Sequence, residues 1–368
     1  MPMADDGRVV VAMSGGVDSS VAAAMLVEAG YDVTGVMLQL WSEPGEGSEN
    51  RCCTSAASRE ARRVAETLGV PFHVIDCSRE FKAAVVDTFI EEHARGRTPN
   101  PCIPCNRQIK FGYLLETARA SGASYLATGH YARVRATNGT YRLVRAADAR
   151  KDQSYFLHVL GQEQLRHVLF PLGELTKTQA RAAAERRNLP VAQREESQDI
   201  CFVRDQDYAR FLGAHAPDIL QPGPIFDRQG RELGEHQGLP FYTIGQRRGI
   251  GITWAEPLYV LEKDTSRNAL VVGSAHQLGC DGFRVVDPTF VLGRPPSLPA
   301  AVEVKIRSTA RAAEAILYRE DKGELTIRTV KPLRDVTPGQ AAVFYRGEEV
   351  LGGGTIALSN RGKGEWRG

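Results

Sequence analysis

The 368-residue chain has no apolar run long enough to span a bilayer, and Met1–Arg8 carries no secretion-signal pattern. A cytoplasmic protein is therefore expected. Charge of one sign is also missing. With 46 basic against 44 acidic residues and a formal charge of +2, overall electrostatics single out no polyanionic partner. Any basic face has to be local. Cysteine is sparse and odd in number: Cys52, Cys53, Cys77, Cys102, Cys105, Cys201 and Cys280. Uneven spacing in a long chain excludes the disulfide framework of a small secreted domain. No second C-x-x-C and no H-x-x-x-H occurs, so a zinc site built on Cys102 and Cys105 would lack two ligands. Internal repeats and low-complexity tracts are absent, and no lysine lies between Met1 and Lys82.

That last absence matters because of what occupies the first thirty residues. Val9–Met13 reads as a buried parallel strand, followed by Ser14-Gly15-Gly16-Val17-Asp18-Ser19-Ser20 and a helical pattern that Gly30 closes. Strand, glycine turn and helix N-terminus together make an anion site, with backbone N–H groups and the helix dipole pointing outward. The common phosphate loop needs a lysine at this turn. Here a carboxylate, Asp18, stands in the loop, which makes sense beside phosphates if it holds Mg²⁺.

Further strands are predicted at Val33–Leu38, Phe72–Ile75 and Tyr125–Thr128. Helices are predicted at Ser55–Leu68, Phe81–Ala94, Ile109–Ala120 and, capped by Thr176, onward to Arg187. This alternation predicts an α/β fold with a doubly wound parallel sheet, whose ligands sit at the carboxyl ends of the strands. Ser14–Ser20, Leu38 and Gly129-His130 then share one rim. The proline-rich Arg97–Pro104 reads as non-helical. After the prolines of Ala216–Pro224 the pattern shifts to short strands and turns. Leu258–Glu262 and Ala269–Val272 resemble a hairpin, and strands from Ala301 to Tyr345 suit a small antiparallel β-barrel. Arg294–Pro299 reads as a second boundary or a long loop near one.

Cys105 lies just before the predicted Ile109 helix, with Asn106 as a plausible cap and Arg107 and Lys110 close by. Helix dipole and cations both favour a thiolate, so Cys105 is a candidate nucleophile. A structural loop cysteine is the plainer reading of the residue alone. Cys102 and Cys105 form a C-x-x-C pair that suits a redox dithiol, half a zinc site or part of an iron–sulfur site. Cys77 and Cys280 read as small buried hydrophobes, and Cys52-Cys53 as a loop pair. Trp41 and Trp254 read as packing residues. From Phe283 to Arg311, five cations (Arg284, Arg294, Lys305, Arg307, Arg311) stand against Asp287 and Glu303. Taken alone, such a cluster is usually a solvated face.

The Ser14–Ser20 string resembles the pyrophosphate loop of the ATP-pyrophosphatase superfamily. Thr98-Pro-Asn-Pro101, Cys105-Asn, Ala127-Thr-Gly-His-Tyr131, Lys151–Phe156, Phe170–Gly173, Ser197–Phe202, Gly234–Gly238, Ile244–Arg247, Thr337–Gln340 and Gly352–Gly354 follow in order. Across nearly the whole chain these resemble the tRNA-specific 2-thiouridylase family. The resemblance implies a pyrophosphate-loop domain over 1–215, a small central domain over 216–282 and a tRNA-contacting C-terminal β-barrel over 283–368. It implies ATP bound at Ala12, Met13, Ser14, Gly15, Gly16, Val17, Asp18, Ser19, Leu38 and Gly129, with Mg²⁺ at Asp18. Asn100, Pro101 and Cys102 would meet the target base. His130, Lys151, Asp152, Gln153, Arg307, Ser308 and Gln340 would contact tRNA. Cys105 and Cys201 would be catalytic. Cys201 would carry a persulfide received from a sulfur-relay or cysteine desulfurase protein.

The implied reaction is thiolation of C2 of the wobble uridine, position 34, through adenylation of the C2 oxygen, with AMP and pyrophosphate released. Some family members have an acid–base Asp where this chain has Cys102, and a thiol does not supply that role. Cys102, Cys105 and Cys201 also match a subgroup proposed to hold a four-iron cluster as the sulfur carrier, so both sulfur routes stand open. An amidotransferase-type synthetase or argininosuccinate-type ligase would leave the cysteine pair unexplained. A non-catalytic tRNA-binding protein would leave the intact loop unexplained.

Overall fold

The computed structural model describes residues 7–43, 55–194, 200–203, 207–320 and 323–357. Cys52-Cys53 and the Ser197–Asp199 part of the motif before Cys201 lie outside the described residues. In chain order the first strands are β1 (Arg8–Ala12), β2 (Asp32–Gln39), β3 (Phe72–Asp76), β4 (Tyr125–Thr128), β5 (Arg133–Thr137), β6 (Thr140–Val144) and β7 (Val168–Leu169). A parallel sheet runs β3-β2-β1-β4-β7. Its central strand is almost wholly apolar because it is covered on both faces.

One face is packed by α1 (Val17–Glu28), α2 (Ser55–Leu68) and a helix over Lys177–Arg186. The other carries two longer helical segments. The first, α3, covers residues 78–94 with a π-helical turn at Lys82–Asp87. The second, α4, covers residues 102–120 with π register at Cys105–Leu114. The Lys177–Arg186 helix, α5 hereafter, opens on the expected Thr176 cap. The Thr176 hydroxyl accepts from Gln179 N–H and the Gln179 carboxamide accepts from Thr176 N–H.

One expectation is corrected. The proline-rich stretch is helical from Cys102 onward, so Cys105 lies inside the first turn of α4 and its N–H bonds Pro101 O at 3.2 Å. Asn106 is a buried helical residue, not a cap. Proline is tolerated there because the first N–H groups of a helix have no intrahelical acceptor. Asn100 Oδ1 accepts the Cys102 N–H at 3.1 Å in a side-chain turn just before the helix.

The middle of the chain forms a second sheet of β8 (Gly223–Phe226), β9 (Glu232–His236), β10 (Tyr259–Asp264) and β11 (Ala269–Gly273), ordered β10-β11-β8-β9. The C-terminal strands are β12 (Cys280–Phe290), β13 (Ala300–Lys305), β14 (Ala313–Arg319), β15 (Leu325–Leu333), β16 (Ala341–Arg346) and β17 (Glu349–Ile356). Pairing of β12 with β17 closes these six into an antiparallel barrel. The Arg294–Pro299 stretch is the β12–β13 loop within that barrel. The hairpin β5–β6, which the sequence reading did not single out, leaves the first domain and extends the barrel sheet through Val144 and Glu349. Among the described residues no helix is long and apolar enough to cross a membrane.

Two histidines are buried where these layers meet. Burial is the leading cause that pushes both imidazoles down, each to about 4: His93 on α3 and His158, whose Nδ1 lies 2.7 Å from Tyr155 O. An unfolded histidine titrates near 6.5. Below about pH 6.5 the unfolded chain therefore takes up protons that the folded chain refuses. Stability is expected to be full above that pH and to fall progressively down to about pH 4. The urea midpoint measured across this window should drop, and His158→Gln should flatten the slope. A midpoint unchanged from pH 6.5 to 4 would contradict the burial.

Candidate functional site

The glycine turn after β1 is built by its own hydroxyls. Ser14 N–H donates to Ser19 Oγ at 3.1 Å, and the Ser19 and Ser20 hydroxyls donate to Gly16 O at 3.2 and 2.9 Å. Gly15 has φ +70°, and a Cβ there would lie 2.5 Å from Ala57 O, so only glycine fits. The N-terminus of α1 has no side-chain cap, which leaves its first-turn N–H groups directed at the crevice above the sheet. On the far wall Gly129 follows β4. A Cβ on it would sit 2.7 Å from Asp18 C and Ser19 N. The crevice thus lies between β1 and β4, where the strand order reverses, the place such sheets bind ligands.

The loop has no lysine in sequence, but the fold supplies one. Lys177, the first residue of α5, places Nζ 2.8 Å from both Asp18 carboxylate oxygens, and Tyr131 Oη donates to Oδ1 at 2.8 Å. Arg194 Nη1 donates to Gly15 O at 2.8 Å. None of these three is singled out by the sequence alone: Tyr131 ends the Ala127–Tyr131 motif and Lys177 directly follows the Thr176 cap. The partners lie far apart in sequence, so no spacing pattern announces them.

A cavity of about 340 Å³ extends from this loop. Ala12, Met13, Ser14, Asp18, Ser19, Leu38 and Gly129 border it on the loop side. Gly15, Gly16 and Val17 form the turn behind them. Pro101, Cys102, Cys105 and Cys201 border it on the other, together with Lys110, His130 and Gln153. Cys102 is exposed, Cys105 buried and Cys201 half-buried. Packing brings Cys105 and Cys201 to one apolar cluster. Phe202 is fully buried against Phe81, Phe89 and Phe211, with ring centroids 5.4–5.9 Å apart, and this cluster also contains Cys105 and Ile109. The anchor beside Cys201 brings the distant segment to the mouth of α4. Trp41 packs edge-on against Phe211, as expected, whereas Trp254 is 46% exposed beneath the Arg231 guanidinium.

The remaining expected contacts divide. Asn100 bonds the Cys102 N–H at the entry to α4 and does not line this cavity. His130 is buried with Nδ1 2.6 Å from Thr128 Oγ1. Burial, reinforced by nearby Lys110, holds its imidazole well below the ordinary value. Gln153 Oε1 accepts from Tyr131 N–H, and Asp152 accepts from Ala146 N–H and from Ser154, so both brace the turn that begins at Lys151. Gln340 Nε2 donates to Thr98 O at 2.7 Å and ties the barrel to the α4 entry. Arg307 Nη2 donates to Ile244 O and Thr337 Oγ1, both at 2.9 Å, with Ser308 beside it. Lys305, counted above as part of a basic face, is buried, and Arg284 pairs with Glu324 at 3.2 Å. The Phe283–Arg311 cluster is thus no uniform solvent-facing patch, because alternate residues of a barrel strand point inward.

Donor chemistry separates the two metal expectations. A single carboxylate next to phosphates is an ordinary Mg²⁺ environment, and Asp18 fits it, although Lys177 already neutralises that carboxylate here. Among the described residues no three His, Cys, Asp or Glu side chains gather at metal-ligand range. Cys102, Cys105 and Cys201 therefore do not form a ready-made cluster site.

Three profiles match the chain in order: the tRNA methyl transferase HUP domain over residues 7–205, the tRNA methyl transferase PRC-barrel domain over 209–274 and the aminomethyltransferase beta-barrel domain over 280–356. Among curated proteins the chain is 51% identical over 352 residues to the tRNA-specific 2-thiouridylase MnmA of Chloroflexus aurantiacus, covering 95% of this chain and 98% of that protein. It is 48% identical to the protein of the same name from Moorella thermoacetica, covering 94% and 98%. A solved 4-thiouridine synthetase–RNA complex with bound ATP aligns with TM-score 0.33 and 16% identity, over 58% of this chain and 51% of that one.

The Lys177–Asp18 pair yields opposite expectations for two substitutions. With inorganic pyrophosphate as probe in metal-free buffer, Asp18→Asn releases the ammonium and tightens binding about tenfold, while Lys177→Met weakens it about tenfold. Titration calorimetry reads both. Shifts of the same sign would rule out a shared cation.

Proposed function

The chain belongs to the tRNA-specific 2-thiouridylase family, and on that footing we propose that it replaces the C2 oxygen of the wobble uridine (position 34) of tRNA by sulfur, at the expense of ATP. The observation that carries this reading is the single cavity bordered by the glycine loop on one side and by Cys105 and Cys201 on the other. The matched profiles are labelled for methyl transfer and the relatives for thiolation. Methyl transfer has no use for two thiols facing a nucleotide loop, whereas sulfur transfer needs both.

The C2 oxygen is a poor leaving group. Its attack on the α-phosphorus of ATP expels pyrophosphate and converts it to an adenylate. Charge on the departing pyrophosphate is met by the Ser14 and Ser19 hydroxyls, the N–H groups of α1 and the Lys177 ammonium. Mg²⁺ held at Asp18 would supply further neutralisation there. The base has to leave the anticodon stack to reach the cavity. The terminal sulfur of a Cys201 persulfide, loaded by a sulfur-relay or cysteine desulfurase protein, then attacks C2 and AMP departs. The Cys105 thiolate attacks Cys201 Sγ and breaks the S–S bond to the base, releasing 2-thiouridine and a Cys105–Cys201 disulfide. An external thiol returns both cysteines to the reduced state with two electrons. No step runs through an iron–sulfur group, which the cysteine arrangement does not fit as it stands.

The scheme predicts what each cysteine variant accumulates. Given ATP, tRNA and a persulfide donor, Cys201→Ser still releases pyrophosphate but makes no 2-thiouridine. Cys105→Ser accumulates tRNA joined to Cys201 through S–S, visible as a shifted gel band that dithiothreitol abolishes. Wild-type product yield in Cys105→Ser, or pyrophosphate release that ignores tRNA, would sink it.

A further inference from the structure

A second concavity of about 270 Å³ lies in the seam between the β5–β6 hairpin and the barrel and shares no lining residue with the reaction cavity. Arg142 reaches it from β6, Arg346 and Glu349 from the β16–β17 turn, and Arg294 from the β12–β13 loop. Arg142 is paired with Glu349. The Arg294 and Arg346 side chains are exposed and have no hydrogen-bond or ion-pair partner among the described residues. Neighbouring arginines differ: Arg133 and Arg135 are engaged by Glu348, and Arg145 lies 3.6 Å from Glu303. Three guanidiniums against one carboxylate leave uncompensated positive charge in one pocket. Such a cluster repels itself unless an anion enters.

Guanidinium forks match the paired oxygens of a phosphate. The rest of the wall is apolar, from Leu292, Pro295, Pro296 and Leu351. An inorganic ion would leave that surface unused, whereas the sugar of a nucleotide would cover it. Strand β6 leads from Arg142 toward the Lys151–Gln153 turn at the reaction cavity. One polynucleotide would therefore lie along both.

We infer that Arg142, Arg294 and Arg346 form an oxyanion pocket that binds a phosphodiester of the RNA substrate away from the reacting nucleotide. This rests on the reading of the protein as a tRNA-modifying enzyme. The pocket adds affinity that depends on charge but not on base sequence, and it takes no part in the chemistry.

Filter binding of the full-length protein to tRNA over a salt series tests it, with the parent, R294A/R346A and R294K/R346K. The alanine pair is expected to weaken binding about tenfold near 0.15 M salt and to lower the log–log salt slope by about one to two. The lysine pair should keep the parental slope. Pyrophosphate affinity equal to the parent's in the alanine pair certifies an intact reaction cavity. Parental tRNA affinity and slope in the alanine pair would overturn the pocket while leaving the thiolation reading standing. Thermal stabilisation of the parent by millimolar inorganic phosphate, lost in the alanine pair without any change in tRNA binding, would assign the pocket to a free phosphate compound and overturn it equally. A parent that binds no tRNA would remove the functional reading itself.

Discussion

The close approach of strand β4 to the first turn of α1 is the constraint on which the site depends. A Cβ on Gly129 would collide with the backbone of Asp18 and Ser19, so glycine alone allows the two main chains to touch. That contact sets the width of the crevice between β1 and β4 and aims the first-turn N–H groups of α1 across it. It also brings Tyr131, two residues beyond Gly129, within hydrogen-bond range of Asp18. Serine hydroxyls satisfy the turn from within, which leaves the helix N-terminus available to an anion.

The second cysteine reaches this crevice by a different kind of force. Hydrophobic burial of the adjacent Phe202 draws Cys201 to the start of α4. An aromatic side chain removed fully from water contributes on the order of 2 kcal/mol or more. Three further phenylalanines shape the slot, two from α3 and one from the helix over Tyr208–His215. The half-buried thiol beside it keeps access to the cavity, whereas Cys77, in the same apolar cluster, is wholly enclosed.

Barrel and first domain are joined by specific polar contacts over a shared apolar core. Val291, Val343, Tyr345 and Val350 pack into the same cluster as Leu126 and Leu157. Tyr155 Oη donates to Ala341 O at 2.9 Å, and Gln340 holds Thr98 just before the α4 entry. Several residues expected to touch RNA are therefore also braces. Asp152, Gln340 and Arg307 hydrogen-bond neighbouring protein, and their effect on a bound RNA would pass through the positions they hold.

Local pattern determined much of this protein. The apolar run into Ser14-Gly15-Gly16, the helix over Ser55–Leu68, the Thr176 cap and the alternating C-terminal strands are short-range signals set by periodicity, turn chemistry and capping. They were legible without coordinates, as was the candidacy of Asp18 and Cys105. The ten or so motifs in register carried the resemblance further than any single pattern. Tertiary structure decided the rest, because it depends on contacts between residues remote in the chain. Lys177 meets Asp18 across 159 residues, and Phe202 packs on Phe81 and Phe89 of α3, more than a hundred positions earlier. The start of α4 among prolines, the exchange of the β5–β6 hairpin onto the barrel and the inward turn of Lys305 follow likewise from packing. In each case burial or charge pairing outweighs local propensity, and neither can be read from spacing alone.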